Sequence, residues 1–439
     1  MHYDLILRNG TCVFPWGEAK ADIGVKDQHI ASLNVTMQDE ADQVIDATHL
    51  HILPGLIDSH VHLRDPGKPD VETIETGTRA AALGGIASVL DMPNTSPAVT
   101  DSAMLEWKRN HINDVASVDV GIYIGATREN TPHLARLEEE EGVCAIKVFA
   151  GSSTGNLMIE DDKGIEAVLR SGHRRVAFHA EDEYRLRERK CLFHKGQPYE
   201  THAQWRDAEC AFRGTERVVT LAHKTGRPVH ILHVSTAEEM EFLARHREVA
   251  SVEVLANHLT QVGPECYERL GGLAVMNPPI RNEYHHKAIW AALLDGRVDV
   301  VSSDHAPHPL GAKKLPWMEC PSGLTGVQTL VPLMLNHVNA GRLSLSHLVD
   351  VMAAGPARIY GIPNKGRLAV GFDADFTLVD LGKERTITND WIASPVGWTP
   401  YDGTSVKGWP VATIVRGHIV MREDEIVSAR QGKIISFLP

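Results

Sequence analysis

Six residues of this 439-residue chain have the types and positions needed to hold metal ions and hydrolyse a bond: His60, His62, Lys147, His179, His233 and Asp304. His60 and His62 form a His-x-His in GLIDSHVHLRDPG, and alternate residues of a strand point to the same side, so both can reach one point. The other four each close a short apolar run: CAIKVFAG, RVAFHAED, VHILHVS and VDVVSSDHAPH. Neutral imidazoles and carboxylates are ordinary ligands of Zn2+ and related ions. Four histidines with one bridging anion suit two cations about 3.5–4 Å apart, a spacing that lowers the pKa of a shared water. Lys147 is the unusual member. A protonated lysine is repelled by dications, whereas a lysine carrying CO2 as a carbamate offers two oxygens as a bridge. Asp304 is then the general base toward water and the acid toward a leaving nitrogen.

Six side chains from five runs converge only if the runs are parallel strands packed side by side. Apolar strand and amphipathic helix alternate from Gly55 onward: GLIDSHVHL, IASVLDMPN, VDVGIYIGAT, VCAIKVFAG, RVAFHAED, PVHILHVS, VASVEVLANHL and VDVVSSDHAPH, with helical stretches between them and a longer helical region around residues 201–225. Eight such units predict an α/β fold, a (β/α)8 TIM-type barrel, whose active site is built at the C-terminal ends of the strands. Both ends of the chain read as short strands with turns and predict a small β-sandwich domain built from the two together. The expected division is 1–54 with 363–439 for the β-domain and 55–362 for the barrel.

Of the 24 histidines, most others, among them His202, His223 and His246, fall on predicted helices, loops or terminal strands, where packing or surface exposure accounts for them. His230 and His305 neighbour ligands but have the wrong parity or adjacency. His258 ends the predicted seventh strand, where a role in supporting a ligand stays open.

Composition narrows the partners. Lys and Arg total 44 against 57 Asp and Glu, a net charge of −13, and no basic run stands out, so no nucleic acid is expected. No apolar stretch approaches the roughly 18 residues of a membrane span, and the N-terminus lacks a secretory pattern. The six scattered cysteines form no C-x-x-C pair and read as reduced thiols of a cytoplasmic protein. A small-molecule substrate is expected, and a homo-oligomer is compatible with the sequence.

The runs DSHVHLRDPG, DMPNT, IKVFAGSSTGN, HAED, LHVST, NPPIR and SSDHAPH resemble the class I dihydroorotases of the cyclic amidohydrolase family, and the resemblance spans essentially the whole chain. It implies a hydrolase of cyclic amides with two Zn2+ ions: His60 and His62 on one, His179 and His233 on the other, carboxylated Lys147 between them, and Asp304 completing the ligands of the first ion. Many class I members have aspartate near the bridging position, where AIKVF offers lysine. By motif, the resemblance also implies a substrate pocket with Arg64 and Asn94 as a carboxylate clamp, completed by Asn277, His308 and the backbone of Gly323. A guanidinium matches a carboxylate in fork geometry. Sister enzymes, allantoinase and dihydropyrimidinase or hydantoinase, share the barrel and metals but not a substrate with this ring carboxylate. A non-catalytic scaffold would be expected to have lost ligands, and this chain keeps all six.

Overall fold

The computed structural model of the chain describes residues 2–151 and 157–438; the last five residues of IKVFAGSSTGN, residues 152–156, lie outside them. Eight parallel strands follow one another in sequence order within one sheet: Leu56–Val61, Ile86–Asp91, Asp119–Gly125, Val143–Phe149, Val176–His179, Val229–Ile231, Ala250–Leu255 and Val300–Ser302. Every residue of the eight is buried, which is why they read as continuous apolar runs and not as alternating ones. The sheet closes into a barrel where Val61 bridges His305 in parallel.

The crossover helices start on residues that supply an oxygen to the free N–H groups of the first turn. Thr73 caps Ile74–Leu83, Asp101 caps Ser102–Val115, Asp161 caps Asp162–Arg170, and Asn282 caps Glu283–Leu294. The helical region expected around residues 201–225 is divided into Thr201–Trp205 and Ala208–Thr225. The Asp207 carboxylate caps the second piece by accepting from Cys210 N, and the break turns Arg206 inward. The seventh strand stops at Leu255, so His258 lies on the short helix Ala256–Thr260 and not at a strand end.

The chain ends build two further sheets. Four strands, all from the first 46 residues, form one. In the other, His51–Pro54 lies between Thr11–Phe14 and the C-terminal strand Phe376–Thr386, with Ile52 opposite Leu378. Leu5, Ile23 and Val25 from the first sheet pack against Ile52, Phe376 and Ile414 from the second, giving the sandwich its own core. Residues 432–435 run along the base of the third barrel strand, where Val120 N donates to Lys433 O and Ile435 N to Val120 O.

A charged latch joins barrel to sandwich. Lys365 Nζ, 6% exposed, contacts Asp119 (2.8 Å), Asp373 (3.0 Å) and Asp375 (2.5 Å), while Arg416 also pairs with Asp119. Burial alone would lower the Lys365 pKa, but the three aspartates more than offset it and raise it. Lys365→Met leaves the buried carboxylates of Asp119 and Asp375 with Arg416 as their one close cation. Breaking a buried pair costs about 3–5 kcal/mol, so the variant is expected to melt several degrees lower by calorimetry; an unchanged midpoint would show that the latch adds nothing to stability.

Candidate active site

The C-terminal ends of the barrel strands surround a cavity of about 290 Å³, lined by all six candidate ligands together with Arg64, Asn94, Asn277, His308 and Gly323. His60 and His62 leave the first strand; Lys147 lies within the fourth; His179 ends the fifth; His233 and Asp304 each fall two residues beyond the sixth and eighth. His233 (φ +40°) and Asp304 (φ +48°) adopt the left-handed conformation, as does Arg64 (φ +55°). Each such residue costs on the order of 1–3 kcal/mol and persists where its surroundings over-determine it.

Each histidine presents one ring nitrogen inward. His60 Nε2 and His62 Nε2 lie 3.3 and 3.1 Å from Asp304 Oδ1, and His179 Nδ1 lies 3.0 Å from His233 Nε2. For three of the four, the outer nitrogen is anchored: His60 Nδ1 on Glu253 (2.8 Å), His62 Nδ1 on Asn94 Oδ1 (2.6 Å) and His179 Nε2 on Glu181 (2.8 Å). Metal-binding imidazoles are oriented in this way, because a partner on one nitrogen fixes the tautomer that leaves the other lone pair free. Burial lowers the pKa values of His62, to about 4, and of His179 and His233, so these rings are neutral, the form that ligates. Burial opposes the charge on Asp304, but His60, His62 and His233 more than offset it and hold the carboxyl well below its usual range. Lys147, 1% exposed, is lowered by burial to about 7, with Asp304 and Glu253 resisting the shift. The donor set and its anchoring therefore fit a divalent metal.

The candidate substrate residues differ in what they have free. Among the described residues Arg64 has no ion-pair partner within 4 Å; its Nε donates to Pro307 O at 3.3 Å. The backbone before it is fixed by Asp91, which accepts from Leu63 N and pairs with buried Lys108 at 2.5 Å. Asn94 holds His62 through its oxygen, leaving its amide nitrogen to the cavity. Asn277 Oδ1 lies 2.9 Å from His202 Nε2, and His308 Nε2 lies 3.0 Å from Ser322 O. Gly323 (φ +145°) sits where a Cβ would strike Ala306 O, and its N–H is already given to Val275 O, so only its carbonyl is available.

A family model described as the amidohydrolase family matches residues 51–420. The dihydroorotase of Pyrococcus furiosus is 37% identical over 88% of this chain and 84% of that protein. The allantoinase of Deinococcus radiodurans is 33% identical over 99% of each. The chain belongs to the amidohydrolase family. Among solved structures, the L-hydantoinase (dihydropyrimidinase) from Arthrobacter aurescens superposes with a TM-score of 0.94 over 99% of this chain and 100% of that one, at 28% identity. With relatives of this kind along its whole length, this amidohydrolase is a hydrolase acting on cyclic amides. Among the described residues no helix is long and apolar enough to cross a membrane.

Several residues of the amidohydrolase site escape the sequence reading. His202, assigned there to packing, lines the cavity and is buried, accepting from Trp317 Nε1 at 3.2 Å. Glu181 is locked by buried Arg206 (2.5 Å) behind His179. Glu253 is an acid in the middle of an apolar strand, a signal that could have found it, and it also accepts from His233 N at 3.1 Å. His258 lies off the cavity with Nε2 3.2 Å from Pro278 O, while His230 and His305 are bonded to Ser251 and Glu72. Because Glu253 orients His60 and the His233 backbone, Glu253→Gln is expected to lower metal affinity or turnover by about 10–100-fold. Metal analysis and steady-state rates on the folded variant test this; wild-type values for both would remove Glu253 from the site.

Proposed function

We propose that this amidohydrolase is a zinc-dependent dihydroorotase, interconverting (S)-dihydroorotate and N-carbamoyl-L-aspartate in pyrimidine synthesis. The observation that carries the reading is Arg64: a guanidinium on the cavity wall, with no carboxylate partner among the described residues, beside the free amide nitrogen of Asn94. Burial draws Arg64 down to about 10, against the pull of Asp304, Asp91 and Glu72, so it stays charged at neutral pH. Arg64 is half-buried; a cation held partly away from water without a partner is costly, and the ring carboxylate of dihydroorotate supplies one. Relatives called dihydroorotase over most of the chain support the same choice.

The four imidazoles and Asp304 would hold the zinc, with Lys147 as the bridge between two ions. For that role its neutral Nζ adds to CO2, forming an N–C bond and releasing one proton, and burial favours the neutral amine. The ions, once bound, polarise the ring carbonyl and acidify water. Arg64 and Asn94 bind the carboxylate and orient the ring. Asp304 takes a proton from water as the water oxygen bonds to the ring carbonyl carbon, and delivers that proton to the ring nitrogen as the C–N bond breaks; the synthetic direction reverses these steps. Six unpaired cysteines support a reducing, cytoplasmic setting.

A second reading, a hydantoinase- or allantoinase-type amidase, is favoured by Phe149, Trp205, Trp317 and Met318, an apolar part of the cavity lining that suits an uncharged ring with an apolar substituent. Assays of the zinc-loaded protein on dihydroorotate, allantoin and dihydrouracil side by side decide between them; a higher kcat/KM on either uncharged ring would overturn the dihydroorotase reading.

Two variants test the residue roles. Asp304→Asn keeps the shape of the carboxylate and loses its basicity, so kcat should fall by about 10²–10⁴-fold with metal content largely kept. Retention of more than a tenth of wild-type kcat at equal metal content would mean that another group moves the proton. Arg64→Met should lower kcat/KM for dihydroorotate by about 10²–10⁴-fold, in keeping with the loss of a buried charge pair, and affect trace turnover of dihydrouracil far less. Equal losses on both rings would make Arg64 a structural residue of the barrel mouth.

A further inference from the structure

A second group of metal-ligating side chains lies at the opposite end of the barrel. His223 sits in the last turn of the helix Ala208–Thr225, and His246 and Glu248 sit in the turn between the helix Ala237–Leu243 and the seventh barrel strand. That turn leads into the N-terminal end of its strand, whereas the active site is at the C-terminal ends, so the two clusters share no residue.

Three ligand atoms face one another there. His223 Nε2 is 2.8 Å from His246 Nδ1 and 3.4 Å from Glu248 Oε1, and His246 Nδ1 is 3.9 Å from the same oxygen. A tetrahedral zinc site with bonds of about 2.0–2.2 Å has ligand-to-ligand edges of about 3.3–3.6 Å, inside the range these three atoms span. A hydrogen bond between the two imidazoles accounts for the first distance alone; the carboxylate oxygen within reach of both adds the anionic donor that a cation needs. The side chains are 39%, 27% and 60% exposed, which leaves water to complete the shell.

The donors stand on fixed supports. Ala250 N donates to His246 O at 2.9 Å, and Arg247 holds Asp299 with two bonds of 2.7 Å, which tie the turn to the start of the seventh strand and to Asp299. The His246 ring packs on Phe242 with centroids 4.4 Å apart. The adjacent cations are each paired with a carboxylate outside the cluster, Lys224 with Glu166, Arg245 with Glu241 and Arg247 with Asp299.

We propose that His223, His246 and Glu248 form a second divalent-cation site, of the chemistry that takes zinc, joining the end of the helix after the fifth barrel strand to the turn before the seventh. Among the described residues His223 Nδ1 and His246 Nε2 have no orienting partner, unlike three of the four active-site histidines, so this ion is held less tightly than those. Its binding to the folded chain alone raises the melting temperature.

The test is zinc content per chain of the full-length protein after dialysis against micromolar free Zn2+, compared among wild type, His223→Gln and Glu248→Gln, with fold checked by circular dichroism. Each variant should hold one zinc fewer than wild type, keep the wild-type hydrolytic rate and lose part of the zinc-dependent rise in melting temperature; His246→Gln replaces any variant that misfolds. Equal zinc content in wild type and variants overturns the site, as does a zinc loss that is matched by a loss of activity, which would place the missing ion at the active site.

Discussion

Two backbone hydrogen bonds, His62 N–H to His305 O and His305 N–H to His60 O, join the first strand to the eighth and close the barrel. They run through two of the candidate ligands. The same seam holds Asp58, a buried carboxylate that accepts from His60 N and Ser303 N and bonds the Ser303 hydroxyl. Closing the barrel in any other register would move His60 and His62 relative to Asp304, so fold closure and site assembly are a single event. Catalytic geometry of this kind inherits the stiffness of a sheet whose every strand is buried on both faces.

Behind the seam stands a layer of carboxylates. Glu253 serves His60 and the backbone of His233; Glu181, neutralised by Arg206, serves His179. Burial opposes charge on both acids, yet His60 and His230 around Glu253, and Arg206 with His179 around Glu181, hold their carboxyls ionised. Charge is thus kept on the carboxylates that point His60 and His179, while burial disfavours it on His62, His179 and His233, whose lone pairs a metal would need. The strained residues fit the same division. His233 and Asp304 turn left-handed just past their strands, which is affordable because the strand on one side and the anchoring bonds on the other leave the backbone no alternative.

The sequence makes the inner layer legible and the outer layer largely not. His60, His62, Lys147, His179, His233 and Asp304 can be picked out because each follows an apolar run and strand parity is a local property. The sandwich formed from both ends is legible for a similar reason, since neither set of short strands could bury a face alone. His202 could not be found this way: it reaches the cavity from the five-residue helix Thr201–Trp205, and its partner Asn277 is 75 residues away. Trp205, Arg206 and Trp317 come from the same long-range folding of loops over the barrel mouth. Glu181 and Glu253 were visible as acids beside or within apolar strands, but what they hold depends on which strands become neighbours.

The pairing of the chain ends also sets a clock. Leu56 N donates to the hydroxyl of Thr377, a residue 321 positions further on, and His51–Pro54 finds its antiparallel neighbour only in Phe376–Thr386. At ribosomal rates of about 5–20 residues per second, the first strands wait roughly 15–60 s for that partner. One side of the early ribbon is protected meanwhile, because Gly17–Lys20 folds back on Thr11–Phe14 as a hairpin, with Glu18, Ala19 and Lys20 exposed. The other side stays an open edge of the kind that pairs with foreign strands. Anything that slows elongation between the barrel and its last strands prolongs the time for which that edge stays open, although the stretch concerned is remote from both the edge and the active site.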